Sequence, residues 1–155
     1  MKTLATVLSI AVIAILLSCS NSSSPSDNAV GTLKASFDGQ TFTASLAATA
    51  LYSSGVLAIA GSDSKGRQIQ LRIVGADKSG EYSFGGLTNM NVATVSTGPS
   101  PSQTYVSSIG GGSGTVTLNE LSASRVSGTF TFTGINSASQ TKTVTDGTFN
   151  LDISK

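Results

Sequence analysis

Thr129-Phe130-Thr131-Phe132-Thr133 alternates strictly between threonine and phenylalanine, and this alternation limits the possible folds more than any other feature of the chain. A strand points successive side chains to opposite faces. A period of two therefore puts both phenylalanines on one face and the three threonines on the other. The same period recurs in Gln68-Ile69-Gln70-Leu71-Arg72-Ile73, Thr115-Val116-Thr117-Leu118, Glu81-Tyr82-Ser83-Phe84 and Phe149-Asn150-Leu151-Asp152-Ile153. No stretch beyond residue 29 carries a helical apolar stripe with caps. Residues 44–51 are alanine-rich, but strand-like runs flank them on both sides, so they too are assigned to a strand.

The turns supply a register. Asp38-Gly39 between two alternating runs is a hairpin signal. Placing Phe37 opposite Gln40 sets Ala35 against Phe42 and Leu33 against Ala44, so the apolar residues share one face. Opposing Ile59 with Ile69 likewise sets Leu57 against Leu71, and an even pairing sum joins Val116 and Leu118 to Phe130 and Phe132. A slip of one residue would turn each of these faces inside out. Asp146-Gly147 has two readings, another tight turn or a bulge that kinks one long final strand. The expected fold is all-β: an antiparallel meander of about ten strands forming a two-sheet sandwich, with a closed up-and-down barrel as the alternative. Core side chains of modest size and the absence of tryptophan favour the thin, filled interior of a sandwich.

The chain divides into residues 1–18, 19–29 and 30–155. Met1-Lys2 is followed by an apolar run over residues 4–17, interrupted only by Thr6 and Ser9. That run falls short of the roughly twenty helical residues a bilayer requires and fits a secretory signal peptide. Leu16-Leu17-Ser18-Cys19 resembles the lipobox of bacterial lipoproteins. The resemblance implies cleavage before Cys19 and lipid on its thiol. This is the one cysteine of the chain, so no intrachain disulfide competes for it. Residues 20–29 are small and polar and read as a flexible tether, reaching at most about 35 Å when extended. Residues 30–155 make one domain of ordinary size.

"KASFDGQTFTAS", "GEYSF", "GTVTLNELSASRVSGTFTFTG" and "TVTDGTFN", behind a lipobox and a short leash, resemble a family of small lipoproteins of Bacteroidota whose domain has no known function. The resemblance spans essentially all of residues 30–153. It implies a single β domain on a lipid anchor and transfers no catalytic residue. In many lipoproteins of that phylum an acidic cluster after the cysteine directs export to the surface. Here only Asp27 follows, so the periplasmic and outer faces stay equally open.

Chemistry is bounded by what the sequence lacks. It has no histidine, which removes Ser-His-Asp triads and Cys-His nucleophiles and leaves zinc or copper without their usual ligands. No metal and no cofactor is expected. Ser62-Asp63-Ser64-Lys65 and Ser139-Gln140-Thr141-Lys142 spell S-x-x-K, and Ser26-Asp27-Asn28 spells S-D-N, but no K-T-G accompanies them. In a serine-rich chain such strings arise by chance. Glu81, Glu120, Asp77 and Asp152 show no spacing that singles out a hydrolytic pair. Asp77, Ser79 and Glu81 alternate as calcium ligands often do, but a turn closed by Asp77 and Gly80 explains them as well. The run Gly110-Gly111-Gly112-Ser113-Gly114 matches neither a P-loop nor a dinucleotide fingerprint and reads as a flexible loop feeding a strand near Thr115.

Removal of the leader takes Lys2 from nine basic residues and leaves eight, against eight acidic ones. A net charge near zero argues against nucleic acid. The expectation is a non-catalytic envelope module, anchored to the outer membrane through lipid on Cys19 and touching an envelope protein or a glycan. Tyr52, Tyr82 and Tyr105 are its candidate contact surface. A lipocalin-like carrier of a small apolar ligand and an acid-only glycan hydrolase are the alternatives.

Overall fold

The computed structural model describes residues 30–154. The alternating runs form eleven strands: β1 (Thr32–Phe37), β2 (Gln40–Thr43), β3 (Ala47–Ser53), β4 (Val56–Ser62), β5 (Gln68–Val74), β6 (Gly80–Gly85), β7 (Val92–Ser96), β8 (Thr104–Ser107), β9 (Ser113–Leu121), β10 (Arg125–Ile135) and β11 (Thr141–Ser154). A 3-10 turn over Pro101–Gln103 is the only helical element among the described residues.

All eleven strands join one mixed sheet, in the order β2-β1-β11-β3-β4-β5-β7-β8-β10-β9-β6, and β10 also pairs with β11. That last pairing closes seven of the strands into a ring. Closure depends on the length of β11 and β10, because each lends one edge to two neighbours. Along one edge β11 pairs with β1 up to Asn150 and then, in parallel, with β3 through Ile153 and Ser154. β10 pairs with β9 as far as Thr133 and touches β8 only at Ile135. The seams are short, so the ring reads as two layers: β2-β1-β11-β10-β9-β6 against β3-β4-β5-β7-β8. The expected antiparallel meander is largely present. Its departures are the parallel β11–β3 seam and β6, which leaves β5 and β7 to pair with β9 at the far edge of the other layer.

Both inner faces contribute to one core. All six phenylalanines lie in it, at positions 37, 42, 84, 130, 132 and 149. Phe130 lies 6.3 Å from Phe132 and 6.2 Å from Phe149, while Phe84 meets Phe132 edge-on at 6.2 Å. Each such ring contributes on the order of 1.5–3 kcal/mol through burial. The six rings thus meet between the layers as part of one buried apolar cluster.

The predicted registers hold in parity, and one differs in position. Phe37 pairs with Gln40 and Ala35 with Phe42, and Ala44 N–H donates to Leu33 O at 2.9 Å, as the Asp38-Gly39 turn requires. Val116 faces Phe130 with an even sum, and a bulge between Ser127 and Gly128 takes up the tighter turn above. Between β4 and β5, however, Ile59 faces Leu71 rather than Ile69. The pairing is displaced by two residues, which keeps the same face inward. Asp63 causes this, holding a five-residue loop by Asp63 N–H to Arg67 O and Gly66 N–H to Asp63 O.

Asp146-Gly147 is a bulge, with β11 running through it without a turn. The register shifts between Phe130 and Phe132 on β10 and between Lys34 and Ser36 on β1, on either side of the same point. Residues 44–46 lie outside β3, at the corner where the chain crosses between layers: Ala44 N–H still bonds Leu33 O, and Leu46 N–H already bonds Ser62 O. In the glycine run, Ser113 opens β9. A Cβ on Gly112 would stand 2.5 Å from Thr133 O and 2.8 Å from the Ser107 Cα, so the glycine serves a close backbone approach.

Candidate functional site

Alternation that buries phenylalanine on β10 must expose its threonines, and the neighbouring strands repeat the pattern. In register, Thr117, Thr129 and Thr148 form one row across β9, β10 and β11. Ser113, Thr133 and Thr143 form another, and Thr115 faces Thr131 between them. Neighbouring strands are about 4.8 Å apart, and alternate residues along a strand about 6.7 Å. The middle of this layer's outer face is therefore a grid of hydroxyls, and Lys34 on β1, paired with Thr148, and Glu81 on β6, paired with Thr117, flank it. At its centre the bulge opens a depression of about 410 Å³, lined by Thr115, Thr117, Thr129, Thr131, Thr148 and Asp146 over Phe130 and Gly147. Thr131 donates to Val144 O at 2.9 Å and Thr145 to Asp146 Oδ2 at 2.8 Å. The outer face of the other layer differs in chemistry: Ala58, Ala60, Gln70, Arg72, Val92 and Thr94 surround a depression of about 270 Å³ there.

The three tyrosines turn inward. Each lies opposite a buried residue in register: Tyr52 faces Leu57, Tyr82 faces Val116 and Tyr105 faces Val95. All three are half-buried against the core. Tyr52 donates to Ala76 O at 2.7 Å and Tyr82 to Lys78 O at 2.8 Å, so both hydroxyls tie down the segment between β5 and β6. The Tyr105 ring lies 4.9 Å from the Lys142 ammonium, which also pairs with Asp38. They belong to three different strands, and the fold sets them at the rim of the core.

Cys19, the lipobox and the tether lie outside the described residues. Among the described residues, no helix is long and apolar enough to cross a membrane. Asp77, Ser79, Glu81, Glu120 and Asp152 are exposed. Asp152 lies 3.9 Å from the Arg125 guanidinium. Among the described residues, no three acidic or thiol groups come together as a metal site. Ser62 ends β4 and Lys65 sits in the following loop, while Ser139 lies in the turn before β11.

Two features were not singled out from the sequence. The first is the Asp63–Arg67 ion pair, at 2.7 Å, with side chains only 5 % and 10 % exposed. The Asp63 carboxylate also accepts Lys65 N–H at 2.9 Å and Arg67 N–H at 3.0 Å. Arg67 reaches across to the other layer, donating to Thr41 O on β2 at 3.0 Å and lying 5.1 Å from the Phe37 ring. Burial alone would raise the Asp63 pKa. The hydrogen bonds from Arg67 and Lys65, with the guanidinium charge, outweigh it and hold the carboxyl below its ordinary value. Asp63 and Arg67 are four residues apart, and a charge pair at that spacing flanking a tight loop was the available signal. The second feature is an apolar rim. Leu87, Met90 and Ile109 are 84 %, 60 % and 55 % exposed, on two loops joined by Gly110 N–H to Gly86 O.

A model of a domain of unknown function, DUF6252, matches residues 30–151. The chain belongs to the DUF6252 family. That match covers every strand but the end of β11, so the DUF6252 domain and the folded domain coincide. No curated protein and no solved structure matches this DUF6252 chain.

Proposed function

We propose that this DUF6252 protein is a lipid-anchored component of the cell envelope, held at the outer membrane, whose β domain binds a partner and catalyses nothing. The observation that carries the proposal is Leu16-Leu17-Ser18-Cys19, set between an apolar leader and a polar tether. The family match begins at residue 30, where that tether ends, and this supports the division into anchor, leash and domain. Diacylation of Cys19 with a further acyl chain on its amine would anchor the protein stably, whereas a single chain holds only marginally. The binding role is supported by a core of buried apolar side chains and by a mid-sheet depression lined by five threonines and one carboxylate.

The test is mass spectrometry of the protein extracted from membranes with detergent. The expected product begins at residue 19 and carries acyl chains on that residue. A Cys19→Ser variant is expected in the soluble phase. Recovery of a soluble chain with an unmodified thiol and the leader attached would overturn the proposal. Protease treatment of whole cells then tells a surface position from a periplasmic one.

A further inference from the structure

The mid-strand depression over Gly147 has two properties that a merely solvated strand face does not need. The first is its backbone. Asp38, Ser54 and Ser139 have positive φ in the turns between strands, but Asp146, at φ 52, adopts the left-handed region inside β11. Such conformations are disfavoured for side-chain-bearing residues and cluster where a site is built. The bulge sets the Asp146 carboxylate at the edge of the depression and opens its floor over Gly147. The second property is its lining: five threonines and one carboxylate line this depression, whereas a single threonine, Thr94, lines the depression on the opposite layer.

Threonine is β-branched and holds few rotamers, so ordering it against a ligand costs little entropy. Its hydroxyl both donates and accepts without a charge to desolvate. Thr131 and Thr145 already donate within the protein, which leaves Thr115, Thr117, Thr129 and Thr148 to face the depression. A nucleic acid or an acidic lipid would require a cluster of cations here; none lines the depression, and the one lysine in the same row, Lys34 beside Thr148, is matched by Glu81 beside Thr117 and by Asp146. The volume, about 410 Å³, lies in the range of small-ligand sites.

We propose that this depression binds a neutral glycan chain, one or two sugar rings lying over Gly147. The Asp146 carboxylate accepts hydrogen bonds from adjacent sugar hydroxyls, and the threonines of β9, β10 and β11 hold the flanking rings. This names the ligand for the binding role proposed above and rests on that role.

The test is affinity electrophoresis of the full, detergent-extracted chain in native gels containing laminarin, an α-mannan or a xylan. At least one of these three neutral polysaccharides is expected to retard the wild-type protein. Asp146→Asn keeps a residue that tolerates positive φ and removes the charge. The triple variant Thr117→Val, Thr129→Val, Thr148→Val keeps shape and removes three hydroxyls. Each is expected to weaken retardation about tenfold or more, the effect of losing at least one good hydrogen bond, with an unchanged melting temperature. Equal retardation of variants and wild type would overturn the site, as would retardation by none of the three. Thermal hysteresis without polysaccharide retardation would assign the hydroxyl grid to ice and also overturn it. The lipid on residue 19 is read separately, so a lipidated protein that ignores all three glycans sinks only this inference. Release of reducing ends that Asp146→Asn abolishes would keep the site and sink the non-catalytic role.

Discussion

Replacing Asp63 by alanine removes the 2.7 Å ion pair with Arg67 and the acceptor for two backbone N–H groups, those of Lys65 and Arg67. The Arg67 side chain, only 10 % exposed, would keep its bond to Thr41 O and its position 5.1 and 5.7 Å from the Phe37 and Phe42 rings, but no counter-charge. Breaking a buried pair from one side costs about 3–5 kcal/mol, chiefly because the surviving charge is stranded. A domain of this size has about 5–15 kcal/mol in all. The melting temperature should therefore fall by about 10–20 °C. Urea unfolding with an unchanged slope measures the same loss at constant temperature. The double variant Asp63→Ala, Arg67→Met removes both charges and should be more stable than Asp63→Ala alone, with a coupling energy above about 1.5 kcal/mol. A loss below about 1 kcal/mol for Asp63→Ala, or strict additivity in the cycle, would show that the pair does not staple the two layers.

The folded pKa of Asp63 is depressed, so the ionised form stabilises the fold above the unfolded value and that contribution disappears as pH falls through the folded one. The stability gap between wild type and Asp63→Asn should be flat from neutral pH to about pH 5 and shrink below about pH 4, as followed by urea titrations across that range. Gly147→Ala puts a Cβ 2.5 Å from Phe130 O and 2.6 Å from its ring. It should cost about 1–3 kcal/mol in thermal unfolding through overpacking at the bulge. Asn91 accepts from Val74 N–H at 2.8 Å and donates to Ser83 O at 2.9 Å, tying β5 to the displaced β6. Asn91→Ala should cost about 1–2 kcal/mol, with hydrogen exchange accelerated first at β6. Leu87→Ser changes a side chain that is 84 % exposed and should leave stability within about 0.5 kcal/mol.

The sequence was most reliable where structure is local. Asp38-Gly39 fixed its hairpin residue by residue, because a two-residue turn leaves one register open. Between β4 and β5 only the parity was legible. The absolute register came from Asp63 and Arg67, whose guanidinium bonds a carbonyl at Thr41 in another layer. Asp146-Gly147 looked like a turn or a bulge from its own residues. Two flanking strands, β1 and β10, keep their pairing on both sides of it and so make it a bulge. Tyr82 shares its period with Phe84 and so points inward by sequence, but for Tyr52 and Tyr105 only the partners in register, Leu57 and Val95, reveal it. The threonine grid was present in the alternation, unrecognised because its rows run across strands and not along them.

Within the strictly alternating runs, which side chains face the core was determined by the sequence alone, since each residue's direction in a strand follows from its neighbours one and two positions away. Which strands lie side by side was decided only by the tertiary structure. The closure of the ring through β10 and β11, the parallel seam at β3 and the transfer of β6 to the far edge all depend on backbone hydrogen bonds. Every backbone carries the same donors and acceptors whatever its side chains, so those pairings leave no mark in the residues that make them.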